Sequence, residues 1–396
     1  MVEIKSCEVC GNSKLDDVLN LGKHPLCDDL VTIGSDRLCK EYPIEIIYCN
    51  ICYTAHQKFQ VPKKELFTTN YHYRSRMTGS VLAGMSDLVE NCEKRFGNLG
   101  KKLILDIGCN DGSLLDFFKE KGCNTVGVDP TDAAQESKHL TYQAFFDKDF
   151  AKFFLNEFGT PDFITFTNVF AHIEDLPGLL NNLKLLLGKN TILVIENHYL
   201  GDILKKKQFD TYYHEHPRTY SYQSFKYIAK SLGIKLLDVD FVSRYGGNIR
   251  AYLGNQELLD VKPPDIDEST FKDQFSHTRQ DMKMWVTTTK KWINDYVEEN
   301  GKLRAKAFPG RAAILVKLLN LDESHISAVY EIKGSIKVGH YVPGTRIPIL
   351  PESELYKLGN QDETILNLAW HIPNEVRKNL KSNGYIGKVL DIKDIQ

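Results

Sequence analysis

No stretch of the 396 residues holds the roughly 18 consecutive apolar side chains that a membrane-spanning helix needs. The opening Met1-Val2-Glu3-Ile4-Lys5 carries no apolar signal segment, so a cytoplasmic location without a membrane partner is expected. An excess of one charge is also missing, since 50 basic residues against 52 acidic ones leave a formal charge of −2. That balance argues against a strongly basic nucleic-acid binder, and no nucleic-acid partner is expected. The sequence has no low-complexity tract and no repeat of fixed period, which argues against long disordered tails and solenoids.

What is present is an ordinary globular composition, 42% hydrophobic and 26% charged, in a chain long enough for two or three domains with sizeable cores. A monomer is expected. Nine cysteines is an odd number, and a reducing compartment favours thiols and metal ligation over disulfides.

Three stretches differ in pattern. Residues 1–68 are rich in cysteine and turns, with no helical period long enough for an independent core, and read as a small knuckle domain. Residues 69–255 open with a helical run from Tyr71 to about Asn98, where Leu82, Met85, Leu88 and Val89 recur at spacings of three and four before Gly97 and Gly100. Short apolar strands then alternate with helical stretches, the pattern of a parallel sheet covered on both faces. The candidate strands are Leu103 to Ile107, Thr125 to Val128, Phe163 to Thr167, Thr191 to Glu196, Lys235 to Phe241 and Asn248 to Leu253. In residues 256–396, the Pro263-Pro264 loop leads into a candidate helix from Glu268 to Asn300. A second α/β pattern follows, with helices at Ala312 to Leu319 and Asn374 to Lys381 and strands at Ile326 to Ile332 and Thr364 to Ala369.

Cys7-Glu8-Val9-Cys10 and Cys49-Asn50-Ile51-Cys52 are two CxxC pairs with 38 residues between them. Each pair can turn two thiolates toward one ion, and two pairs supply the closed tetrahedral sulfur shell of a structural zinc site. With no open coordination position, such a site stabilises folding and performs no chemistry. A single CxxC would also suit a redox pair. Cys27, Cys39, Cys92, Cys109 and Cys123 lack this spacing and read as packed thiols.

Leu103 to Leu114 reads as strand, glycine turn and helix start, with the spacing D-x-G-x-x-x-G over Asp106, Gly108 and Gly112. The second closely spaced glycine by which a dinucleotide fold approaches pyrophosphate is absent, which points away from NAD. Twenty-three residues after Asp106, a second strand ends on Asp129, placed to accept hydrogen bonds from both ribose hydroxyls. The acidic loop also suits a cationic sulfonium. In order and spacing these residues resemble the first motifs of class I S-adenosylmethionine-dependent methyltransferases. The resemblance implies S-adenosylmethionine as cofactor, with Asp106, Gly108, Asn110, Gly112, Asp129 and Asn168 as its contacts. The plainer reading is a glycine turn in a flavodoxin-like sheet.

Two polar clusters stand where an α/β sheet places its site, at the carboxyl ends of strands. One is Asn168-Val169-Phe170-Ala171-His172-Ile173, and the other is Asp210-Thr211-Tyr212-Tyr213-His214-Glu215-His216-Pro217. The second is costly in polar side chains unless they are exposed or used. His214 and His216 would share one side of an extended strand, without the helical H-E-x-x-H spacing of a metalloprotease. Acid/base catalysis, a metal site and a solvated loop are all open readings.

The cysteine knuckle, the cofactor loop, Asn168-Val169-Phe170-Ala171-His172, Tyr213-His214-Glu215-His216 and Pro343-Gly344-Thr345-Arg346-Ile347-Pro348-Ile349 occur in one order. Together, over nearly the full chain, they resemble the nucleotide-sugar C-methyltransferases of branched deoxysugar biosynthesis. The resemblance implies an α/β fold: a class I methyltransferase Rossmann-like sheet, flanked by an N-terminal zinc-knuckle domain and a C-terminal degenerate Rossmann-like domain that completes the substrate site. It implies transfer of a methyl group to carbon 3 of a nucleotide-linked 4-keto sugar. His216 would then be the base that removes the carbon-bound proton. Tyr213, Glu215 and His172 would line the same pocket, and Tyr71 or Tyr73 would close it. The residue types fit, because a carbon beside a ketone becomes a nucleophile only after deprotonation. The site therefore needs a base of near-neutral pKa and donors for the enolate oxygen.

The chain departs from the family at several points. Tyr245-Gly246-Gly247 stands where His-Gly-Gly is usual, and Tyr73-Arg74-Ser75-Arg76 where Y-x-S-S is usual. The C-terminal glycine-rich stretch is reduced to Pro309-Gly310-Arg311-Ala312-Ala313, and Glu331 replaces a common aspartate, which favours architectural support over a second nucleotide site. These departures keep two alternatives open: an O- or N-methyltransferase of a nucleotide sugar or glycan precursor, and a non-catalytic zinc-bearing scaffold.

Overall fold

The computed structural model describes residues 1–66, 74–255, 264–359 and 361–395. The chain forms two compact units, one of Met1–Asp17, Ile47–Lys206 and Glu215–Lys272, the other of Val18–Ile46, Lys207–His214 and Asp273–Gln396. Among the described residues no helix is long and apolar enough to cross a membrane.

The first unit is built on seven strands: β1 Leu103–Ile107, β2 Asn124–Asp129, β3 Leu140–Gln143, β4 Phe163–Thr167, β5 Ile192–His198, β6 Lys235–Val242 and β7 Asn248–Gly254. Their order across the sheet is β6-β7-β5-β4-β1-β2-β3. The first five run parallel. The expected all-parallel sheet fails at its end, where β7 is antiparallel to β5 and β6 antiparallel to β7. The cause is the short turn through Arg244–Gly246, which is too brief for the crossover that parallel neighbours need. Strand β3 was not among the expected strands, because its four residues are exposed or half-buried and show no apolar run.

The helical run read from residue 71 begins in the structure at Gly79 and ends at Phe96. Its buried stripe of Val81, Met85, Leu88, Val89 and Cys92 packs with Ile104, Leu114, Phe118, Phe163, Val194 and Tyr252 in one core. At roughly 1.5 to 3 kcal/mol for each fully buried large apolar side chain, this core holds the helix against β1, β4, β5 and β7.

One ion cluster lies inside the sheet. Glu196, at 0% exposure on β5, sits opposite Arg250 of β7 in the antiparallel register. Its carboxylate accepts from Arg250 Nε at 2.8 Å, Arg244 Nε at 3.0 Å and Asn248 Nδ2 at 3.1 Å. Burial alone would raise the Glu196 pKa, but the two guanidinium groups outweigh it and hold the carboxylate below its ordinary range. Arg250 continues to Asp87 at 2.9 Å and Arg244 to the Val81 carbonyl at 3.0 Å, both on helix Gly79–Phe96.

The second unit holds five parallel strands: β8 Leu303–Lys306, β9 Ile326–Glu331, β10 Ile349–Pro351, β11 Ile365–Asn367 and β12 Val389–Asp391, in the order β10-β9-β8-β11-β12. Of these, β9 and β11 were readable. Strands β8, β10 and β12, of three or four residues each, were not among the expected strands. The long helix runs from Phe271 to Asn300, and Trp285 Nε1 and Thr289 Oγ1 on it donate to the carbonyls of Ile392 and Ile395 at 3.2 Å each. It starts three residues later than expected because Glu268 serves elsewhere. Its carboxylate accepts the backbone N–H groups of Tyr222 and Gln223 at 2.8 and 2.9 Å, together with the Tyr199 hydroxyl.

Breaking a buried ion pair on one side leaves an uncompensated charge. We expect Glu196→Ala, which strands two guanidinium groups, to lower the unfolding free energy by about 3 to 5 kcal/mol in urea denaturation. A loss within about 0.5 kcal/mol, as for an ordinary surface substitution, would deny the cluster its structural role.

Candidate active site and zinc centre

The two CxxC pairs form matching knuckles. Gly11 N–H donates to the Cys7 carbonyl and Tyr53 N–H to the Cys49 carbonyl, each at 2.8 Å. Gly11 and Tyr53 close these turns with φ of 78° and 56°, a region glycine enters freely and tyrosine only under constraint. The sulfurs of Cys7, Cys10, Cys49 and Cys52 all lie within 4.8 Å of one another, and among the described residues this is the one group able to hold a metal ion. Donors surround the shell. His56 Nε2 lies 3.3 Å from Cys7 Sγ, Asn12 Nδ2 3.4 Å from Cys49 Sγ and Thr54 Oγ1 3.1 Å from Cys52 Sγ. Four converging thiolates with outer hydrogen-bond donors fit zinc in a closed, non-catalytic shell.

The cofactor loop lies at the carboxyl end of β1, next to the point where strand order reverses between β4 and β1. Gly108 has a φ of +73°, and a Cβ there would meet the Val169 side chain at 2.5 Å, so the loop passes against the end of β4 only because position 108 is glycine. Asn110 also takes a positive φ, 51°. Asp129 braces the loop: Oδ2 accepts Asn110 N–H at 2.9 Å, and Oδ1 accepts Thr131 N–H at 2.8 Å and its hydroxyl at 2.6 Å. Asp106 lies beneath the loop, bonded to the Thr165 hydroxyl at 2.7 Å. Burial pushes its carboxyl up to about 7; the Thr165 hydrogen bond opposes this and the neighbouring Asp129 charge adds to it. A pKa near 7 makes Asp106 a weak counter-charge for a sulfonium at neutral pH. Asn110 Oδ1 accepts Ser75 N–H at 3.0 Å, and Asp111 accepts Arg76 Nε at 2.9 Å. The Arg74-Ser75-Arg76 departure from the family pattern thus sits directly on the loop.

His172 follows β4 in a short 3-10 turn. Burial lowers its pKa to about 4, against the opposing pull of the Glu215 and Asn168 backbone, so it is uncharged at neutral pH. The His216 ring lies 4.8 Å from that of His172 and 5.1 Å from that of His198, and His198 lies 5.9 Å from Tyr245. His216 itself is 5% exposed. His198 and Tyr245 are additions that the motifs did not single out as site residues. His198 ends β5, where a charged or polar residue after an apolar strand is the available signal, and Tyr245 is the residue in place of the family's histidine.

The Tyr213-to-His216 motif does not run extended as read. The chain turns at His214 and Glu215 before the short strand Arg218–Thr219, so strand alternation does not set the directions of these side chains. Glu215 and His216 belong to the first unit, Tyr213 and His214 to the second. His214 Nε2 lies 3.1 Å from the Tyr42 carbonyl, and burial lowers its pKa to about 4. Among the described residues the group able to hold a metal ion is the cysteine shell and includes neither His214 nor His216. Tyr71 and Tyr73 lie outside the described residues.

Comparison with known proteins bears directly on this arrangement. Residues 73–239 match a family described as "Methyltransferase domain", residues 7–67 one described as "Putative zinc binding domain" and residues 264–388 one described as "C-methyltransferase C-terminal domain". The C-methyltransferase NovU of Streptomyces niveus is 25% identical over 398 residues, spanning 96% of this chain and 92% of that protein. Two solved structures are similar over part of the chain. The magnesium protoporphyrin IX methyltransferase ChlM of Synechocystis PCC 6803 with bound SAM has TM-score 0.35 and 16% identity, covering 48% of this chain and 86% of that one. The PH0226 protein of Pyrococcus horikoshii OT3 has TM-score 0.36 and 14% identity, covering 49% and 98%.

The fold, the braced glycine loop and the methyltransferase match define an S-adenosylmethionine-dependent methyltransferase. Zinc-binding, methyltransferase and C-methyltransferase C-terminal matches follow one another along the chain, which is similar over nearly its whole length to a C-methyltransferase.

Two measurements follow from the geometry. Elemental analysis of protein purified without chelators should find one zinc per chain, and less than about 0.3 would contradict the closed thiolate shell. Asp129→Ala removes the brace under Asn110, and the loss of a charge-assisted hydrogen bond, about 1.5 to 3 kcal/mol, corresponds to roughly ten-fold to hundred-fold weaker S-adenosylmethionine binding by calorimetry. Unchanged affinity would place the cofactor elsewhere.

Proposed function

We propose that the protein methylates a carbon next to the ketone of a nucleotide-linked 4-keto sugar, with His216 as the base that first removes that carbon's proton. The observation that carries this reading is the position of His216, a buried imidazole with the rings of His172 and His198 at 4.8 and 5.1 Å, in the same unit as the glycine loop.

In this scheme the substrate C–H bond breaks, its proton passes to a His216 ring nitrogen, and the electron pair moves onto the ketone oxygen as an enolate. His172 is uncharged at neutral pH, so it does not repel the imidazolium that forms on His216. His198, 5.1 Å from His216, and Tyr245, 5.9 Å from His198, add an N–H and a hydroxyl of the kind a developing enolate oxygen needs. S-adenosylmethionine, when bound, would supply an electrophilic methyl group for that carbon, with the neutral thioether as the leaving group that keeps the bonding electron pair. Asp129, Asn110 and Gly108 hold the loop on which that cofactor rests.

Proton removal and methyl transfer are separable. In D2O with S-adenosylhomocysteine and a nucleotide-linked 4-keto sugar, the wild-type enzyme should exchange the sugar's α-hydrogen for deuterium, and His216→Asn should not. A general base contributes about 10² to 10⁴ in rate, so His216→Asn should lose methylation by that factor while still binding both ligands. Methylation by His216→Asn at near the wild-type rate would assign the base to another group.

A further inference from the structure

Within the first unit, the cysteine shell is joined to the segment that follows His216 by two lines of polar contact. The first leaves Cys7. His56, 1% exposed, has Nε2 3.3 Å from Cys7 Sγ and Nδ1 3.5 Å from the Glu8 carboxylate. Glu8 accepts Arg218 Nη1 at 2.6 Å and Gln60 Nε2 at 2.8 Å. Arg218, 1% exposed and two residues after His216, turns Nε to the Tyr220 hydroxyl at 3.1 Å and Nη1 to the Glu174 carbonyl at 3.3 Å. The second line leaves Cys52. Its carbonyl accepts the hydroxyls of Ser221 at 3.1 Å and Ser224 at 3.2 Å, and Ser224 also meets Thr54 Oγ1 at 2.8 Å. Backbone pairing reinforces both lines, with Arg218 opposite His56, Thr219 opposite Ala55, and Gln57 N–H on the Pro217 carbonyl at 2.8 Å.

A zinc knuckle that served only to close itself would not need these contacts. Two of its four ligand residues reach out of the shell, and both reach residues 217–224, the stretch that begins just after His216. A buried guanidinium is costly unless it is paired, and Glu8, which pairs with Arg218, stands one residue after a zinc ligand. His56 couples that carboxylate to the thiolate itself. Outer groups of this kind orient metal ligands, and the coupling is reciprocal, because whatever fixes the thiolates also fixes the groups bonded to them.

We propose that the zinc centre has a positioning function: through His56, Glu8 and Arg218 it fixes the segment Glu215–Tyr222, and with it the His216 ring. The coupling between metal and segment stands on these contacts alone. Its consequence for catalysis rests on the reading of His216 as the base.

The test uses the full zinc-loaded chain and follows metal release to the chelator 4-(2-pyridylazo)resorcinol. His56→Gln and Arg218→Lys should release zinc roughly 10- to 100-fold faster than the wild type, the range usual for loss of an outer-shell partner. Phe118→Leu, a core substitution in helix Ser113–Glu120, supplies a control whose lower melting temperature is matched to that of the variants, and it should release zinc at close to the wild-type rate. Hydrogen exchange followed by mass spectrometry on zinc-loaded Arg218→Lys should rise in peptides spanning residues 213–222 and stay unchanged in Leu103–Ile107. Should Arg218→Lys fail to fold, Glu8→Gln gives the same decision, since the Glu8 side chain is 16% exposed and tolerates change more readily. Zinc release no faster than in the stability-matched control, or exchange rising equally throughout the chain, would overturn the proposal. Neither readout involves the methyl-transfer reaction, so this failure is separate from a failure of the His216 assignment, which the deuterium-exchange experiment reads.

Discussion

Glu196 is a carboxylate with no access to water, and keeping it charged inside a sheet dictates much of what surrounds it. Two guanidinium groups must stay within hydrogen-bond reach, which fixes Arg250 opposite it on β7 and brings Arg244 in from the turn between β6 and β7. Those arginines in turn need acceptors, and they find them on helix Gly79–Phe96 at Val81, Gly84 and Asp87. Gly84 has to be glycine, since a Cβ there would stand 2.9 Å from Arg244 Nη1. The same clamp brings Asn248 to Asn168, at 2.9 Å, and sets Tyr245, the neighbour of Arg244, beside His198. A structural ion cluster thereby sets Asn168, His198 and Tyr245 at the carboxyl ends of β4 and β5 and the turn before β7.

What could be read in the sequence was what is encoded locally. The two CxxC pairs, the glycine turn after β1, the acid ending β2 and the polar run after β4 each occupy a few consecutive residues, so spacing alone exposes their chemistry. Strands β1, β2, β4, β5, β6 and β7 were legible for the same reason, as apolar runs bounded by turns. The antiparallel register between β5 and β7 was not legible, because it depends on pairing residues fifty or more positions apart. With it went the Glu196 cluster and the approach of Tyr245 to His198. The polar motif from Asp210 to Pro217 was visible as a cluster, but not its turn at His214 and Glu215, nor its division between the two units. The burial that commits His214 to the Tyr42 carbonyl comes from a segment of chain more than 170 positions away.

The structure assigns stability and chemistry to overlapping sets of residues. Asp129 closes the cofactor loop through Asn110 and Thr131, so a substitution there acts on the loop as well as on any ligand. His172, just after β4, has its ring 4.8 Å from that of His216, and so packs the end of that strand against the segment carrying His216.

The claim at the centre of this account is that the methyl group goes to carbon. The most direct measurement is carbon NMR of the product formed from methyl-13C-labelled S-adenosylmethionine and a nucleotide-linked 4-keto sugar labelled with 13C in the ring. The account predicts a methyl resonance split by one-bond coupling to a ring carbon next to the ketone. A labelled methyl without that coupling, with the shift of a methoxy group, would contradict it and make the enzyme an O-methyltransferase on the same fold and cofactor site.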